Sequence, residues 1–183
     1  MRWTDLSAIG YVHTLTCVMA LLIGVFMIFG RKGTALHRRM GRWYVGAMVV
    51  ANLSAFGIIR AGLDVFHGVA AATLVVLALG FVAASRQKVA AWAYLHPLGM
   101  IASYYSLVGG AINEAFARID LLRGAALSSS PGAGLLHTRL VGTTHRVNML
   151  VFLTLLGVFL AQVARHRRET TPLEDAAPVV DSR

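Results

Sequence analysis

The residues with the most chemistry to offer are histidines: His13, His37, His67, His96 and His145 lie within or beside long apolar stretches. An imidazole inside a lipid-embedded helix is costly. It normally faces the protein interior, where it pairs, relays protons or ligates a metal. Two imidazoles facing each other across a helix bundle can hold a flat macrocycle, one axial ligand on each side, as bundle cores do for b-type haem. The single cysteine, Cys17, rules out an intrachain disulfide and reads as a small packing residue.

The elements that position these imidazoles are membrane helices. The chain has 183 residues, 57% of them hydrophobic and 14% charged. An average soluble domain carries about 25% charged residues. Too few charges remain here to build a polar skin, and lipid removes the need for one. A spanning helix requires roughly 20 mostly apolar residues. Five stretches qualify: 6–29, 42–59, 65–84, 89–112 and 147–164. The expected fold is all-α, a polytopic membrane helix bundle of about five transmembrane helices. Its first four form an up-down four-helix bundle. Residues 1–168 make the transmembrane domain, and 169–183, with two prolines and several acids, make a disordered cytoplasmic tail. The run from Leu6 is too long for a signal peptide and reads as a retained helix.

Charge sets the orientation. The formal net charge is +9. Arg31, Lys32, Arg38, Arg39, Arg42, Arg86, Lys88, Arg165, Arg167 and Arg168 fall on one side. The fewer Arg2, Arg60, Arg118, Arg123, Arg139 and Arg146 fall on the other. Cytoplasmic loops carry the excess, so the N-terminus is expected outside the inner (plasma) membrane and the C-terminus in the cytoplasm. Short basic clusters between apolar runs follow that rule, which argues against nucleic acid as a partner. The lipid bilayer is the partner the composition demands. Trp3, Tyr11, Trp43, Tyr44, Trp92 and Tyr94 sit near span ends, as interfacial aromatics do.

In an up-down order the first and third helices are diagonal, as are the second and fourth. His13 then faces His67 at the outer level, with His145 as an alternative ligand there, and His37 faces His96 at the inner level. For His37 to enter the bundle, the second helix must begin near Ala35 with Thr34 as its N-cap. Two haem b groups at these levels would form an electron path between a donor and an acceptor that the sequence does not name. Gly24, Gly68, Ala71, Ala72, Gly99 and Ser103 would leave room for a broad group, although small residues also serve helix packing. His137 falls in a flexible outer loop, 115–144, and His166 in a basic patch.

A second reading stays open. The histidines cap helices, or bind copper or zinc, in a non-redox membrane module or subunit. Walker, CxxC, HExxH and Rossmann patterns are absent, and Asn113–Glu114 reads as the end of the fourth span.

The segment GRKGTALHRRMGRWYVGAM, residues 30–48, resembles the bacterial predicted-membrane-protein family known as domain of unknown function 2306. The resemblance rests on Lys32, Gly33, His37, Arg38, Gly41, Arg42, Tyr44, Ala47 and Met48, with His13 upstream. It extends to His67–Gly68, His96 and His145–Arg146, and covers residues 8–165. The family name implies a membrane protein but no activity. In architecture the chain is also similar to diheme b-type cytochromes and ferric-reductase-like membrane domains, which implies haem ligation by histidines on diagonal helices at two levels.

Overall fold

The computed structural model describes residues 7–58, 65–86 and 91–175, with side chains through residue 165. The described residues fold into helices without strands: α1 (Ala8–Phe29), α2 (Ala35–Phe56), α3 (Val65–Arg86), α4 (Trp92–Arg118), α5 (Asp120–Ser128) and α6 (Arg139–Asp175), with a 3₁₀ turn at Leu135–His137 before α6. Among the described residues three helices are long and apolar enough to cross a membrane: α1, α3 and Arg139–Arg165 of α6. The expected second and fourth spans correspond to α2 and α4, which are helical but carry more polar residues, including Arg38, Arg39 and Arg42 in α2. Arg2, Trp3, Arg60, Lys88 and the end of the expected tail lie outside the described residues, as do the side chains of His166, Arg167 and Arg168. Helix α6 itself continues past residue 169 to Asp175.

Each helix end has a local cause. Ser7 caps α1 by accepting the Gly10 amide at 3.2 Å. At the other end of α1 the Gly30 amide donates to Phe26 O, and the Lys32 ammonium donates to Ile28 O. Gly33 then adopts φ +76°, a left-handed turn that glycine makes without a Cβ penalty. Thr34 accepts the His37 amide at 3.1 Å, and α2 does begin at Ala35. Arg38 closes the turn by donating to Gly33 O at 2.8 Å.

Helix α1 packs on α2, α2 on α3, α3 on α4, and α4 on both α1 and α6. The core cluster is Ala20, Tyr44, Ala47, Met48, Leu77 and Leu107. In lipid, helices associate by van der Waals packing and interhelical hydrogen bonds rather than by apolar burial, so close backbone approach matters most. Among the described residues the tightest backbone-to-backbone approach between helices is Gly80 on Gly99: a Cβ on Gly99 would lie 2.5 Å from Val76 O and 2.8 Å from the Gly80 Cα. A tyrosine bridges α2 and α4, with Tyr44 Oη and Ser103 Oγ 3.0 Å apart. Tyr44 is therefore core, only 2% exposed, and not the interfacial aromatic its position suggested; its neighbour Trp43 is the exposed one.

The segment expected as a flexible loop folds instead. Ala126 of α5 joins Phe116 of α4 and Val141 of α6 in a second cluster, with Leu122 and Leu135 against it. Ser130 Oγ accepts the Arg139 amide at 3.0 Å and Ser129 Oγ the Leu140 amide at 3.3 Å. Those two serines cap the start of α6.

Candidate functional site

The expected site residues divide between two ends of the helical array. At one end lie the start of α1, the end of α2, the starts of α3 and α6 and the end of α4. His13 Nδ1 sits 2.8 Å from Ala51 O and 3.2 Å from Ser54 Oγ, which fixes α1 against α2. A carbonyl only accepts, so Nδ1 carries the proton, and in the neutral ring Nε2 carries the lone pair. That Nε2 lies 3.7 Å from Cys17 Sγ, one helical turn along. His67 is buried and its ring tilts against Phe56 of α2, centroids 5.7 Å apart. His13 and His67 thus both lodge against the last two turns of α2. His145 Nε2 pairs with Asn113 Oδ1 at 2.8 Å, joining α6 to α4. Asn113 is therefore an interhelical partner within α4 and not the end of the helix, which continues to Arg118.

At the other end, His96 Nδ1 donates to Gly80 O at 3.0 Å and joins α4 to α3. The Gly80–Gly99 contact lets the helices approach closely enough for that bond. Its Nε2 is again the lone-pair nitrogen. His37, half-buried in the first turn of α2, lies near enough to His96 to feel its charge. Burial lowers the His37 proton affinity from its ordinary value, and the positive charges of Lys32 and Arg38, with that of His96 whenever its ring is protonated, lower it further. His137, in the 3₁₀ turn, is exposed.

Between the two ends the interior is filled. The Tyr104 ring occupies the space above Gly24, where a Cβ would fall 2.2 Å from its Cε2, and its hydroxyl donates to Leu21 O. Tyr105 stacks on Phe152 of α6 at 4.6 Å. Gly99 serves the α3–α4 contact and Ser103 bonds Tyr44, while Gly68, Ala71 and Ala72 face outward. These small residues are explained by packing and surface position and line no interior space. Among the described residues no cluster of three or more His, Cys, Asp or Glu side chains could hold a metal ion by itself.

Two features escaped sequence reasoning. One is that His13, His96 and His145 each bond across to a neighbouring helix. Two of the three acceptors are main-chain carbonyls, which residue type does not reveal. The other is the Asn148 amide, whose nitrogen is buried beside Gly109 without a hydrogen-bond partner among the described residues. Compared with family models, with known proteins and with solved structures, the chain matches none.

Two of the histidines share one hydrogen-bonding state. Metal-ligating histidines commonly donate their second ring nitrogen to a carbonyl, which fixes tautomer and orientation and raises ligand basicity. His13 and His96 are held in that state, one at each end.

Proposed function

We propose that this chain is a multi-pass inner-membrane protein that binds b-type haem at its two histidine levels and carries electrons within or across the bilayer. In this reading it has five spans, the first four in up-down order, with the N-terminus outside and the C-terminus in the cytoplasm. His37 and His96 hold the inner group, and His13 and His67 hold the outer one, with His145 as the alternative outer ligand. When bound, the haem supplies a one-electron couple at each level. The protein's part is to orient. The Ala51 and Gly80 carbonyls hold the Nδ1 protons of His13 and His96 and leave each Nε2 basic. The solid middle, with Tyr44, Met48, Leu77 and Leu107, excludes water between the levels.

The observation that carries the reading is the pair of imidazoles, one near each end, with Nδ1 committed to a main-chain acceptor. The test is an absorption spectrum and an iron analysis of protein purified from cells grown with a haem precursor. A Soret band with stoichiometric iron is expected. Its absence, with copper or zinc present instead, would favour the non-redox reading.

That second reading has its own support. The same three hydrogen bonds join α1 to α2, α3 to α4 and α4 to α6. Histidines so placed act as interhelical cross-links whether or not a metal binds.

A further inference from the structure

The turn between α1 and α2 carries a concentration of positive charge that the fold does not use up. Lys32 and Arg38 are committed to the main-chain carbonyls of Ile28 and Gly33. Arg31, Arg39 and Arg42 are exposed, and although the Arg31 main-chain oxygen accepts from Thr34 Oγ1 at 3.3 Å, among the described residues none of the three guanidiniums makes a hydrogen bond or ion pair. No acidic residue occurs between Leu6 and Ile59, so neither of the two helices offers a counter-charge of its own.

The cations do not stand on a polar face. Leu36 and Trp43 are 54% and 58% exposed, and Phe29 at the end of α1 is 82% exposed. In α2 the sequence positions 36, 39 and 43 follow helical spacing, so Leu36, Arg39 and Trp43 share a face. Arg42 lies beside Trp43, and the exposed apolar side chains Val50 and Leu53 continue along the helix.

We infer that the α1–α2 turn is a binding surface for the headgroup phosphates of anionic phospholipids, with Arg31, Arg39 and Arg42 as the phosphate-binding residues. A nucleic acid or an acidic peptide would match the charge but leave Phe29, Leu36 and Trp43 in water. A bilayer leaflet supplies both phases in the right order, with phosphates at the level of the guanidiniums and hydrocarbon below. Trp43 then sits at the boundary, where its amphipathic ring is favoured. Arginine suits the task because its planar fork can bind a phosphate through two parallel hydrogen bonds. The inference is independent of haem binding.

The test uses the full-length protein in phosphatidylcholine bilayers containing spin-labelled phosphatidylglycerol or spin-labelled phosphatidylcholine. The fraction of motionally restricted label gives the relative association of the two lipids. The wild type is expected to prefer phosphatidylglycerol by about fivefold, which corresponds to ~1 kcal/mol. Replacing Arg31, Arg39 and Arg42 together by Gln should bring that ratio near one. Replacing the same three by Lys should retain most of it, since charge is kept, and this control separates loss of the surface from loss of the fold. Replacing Arg139 and Arg146 by Gln, at the opposite end, should leave the ratio unchanged. A wild-type ratio near one would overturn the inference, as would an undiminished ratio in the triple Gln protein.

Discussion

His96 Nδ1 lies 3.0 Å from the carbonyl oxygen of Gly80, and this bond ties the start of α4 to the last turns of α3. It bears on three things together: the helix pairing, the ring's tautomer, and which nitrogen keeps the lone pair. Replacing His96 by Phe keeps the ring and removes the bond. Cross-helix hydrogen bonds in lipid average about 0.6 kcal/mol and reach about 1.7. A loss in that range is expected, read from unfolding in mixed micelles. A loss near zero would show that the bond contributes nothing to the pairing.

The glycine pair beneath that bond should matter more. A Cβ on Gly99 would meet backbone atoms of Val76 and Gly80, which cannot turn aside as a side chain can. Overpacking of this kind costs about 1–3 kcal/mol. Gly99→Ala is expected to lower the unfolding midpoint clearly, whereas Gly110→Ala, with open space at its Cβ, should not. Equal effects from the two would contradict the close approach of α3 and α4.

Gly24 gives a test by rescue. The Tyr104 ring lies where its side chain would be. Gly24→Ala should destabilise the bundle by about 1–3 kcal/mol, and adding Tyr104→Ala should recover part of that loss. The double variant measures the coupling directly, because contacting residues are non-additive. Strict additivity would mean the two do not touch.

Acid should weaken the end of the array that holds His37. Burial, with the charges of Lys32 and Arg38 and that of His96 whenever its ring is protonated, holds its proton affinity below the ordinary value. The unfolded chain then binds the proton more readily than the folded one. The stability His37 contributes is complete above about pH 6.5, the ordinary imidazole value, and is lost as pH falls through the lower folded value. Thermal unfolding of the metal-free protein is expected to be flat above that range and to decline below it. His37→Gln should show a smaller decline on acidification, and an identical profile would exclude His37 as the source.

Much of this architecture is legible in the residues. Helices α1, α3 and α6 announce themselves as long uncharged apolar runs, and Thr34 marks the start of α2 because its hydroxyl stands ready to accept an amide three residues on. Tyr44 misleads, since an aromatic beside Trp43 reads as an interfacial residue until the fold brings Ser103 opposite its hydroxyl. Helix α5 is hard to read because it is short, and it is held by contacts with Phe116 and Val141 rather than by its own propensity. The histidines stand out by type, but their partners do not. Ala51 and Gly80 accept through main-chain oxygens that every residue possesses, so only the three-dimensional approach of the helices selects them.

The most direct measurement is a haem titration of the purified apo-protein, followed by absorption, for the wild type and for His13→Ala, His96→Ala and the double variant. The wild type is expected to take up haem b with a Soret band typical of two nitrogen ligands. Each single variant should lose one population of bound haem, and the double variant should bind none specifically. Spectra that remain superimposable across all four proteins, or no spectral change on adding haem to the wild type, would contradict ligation by these imidazoles.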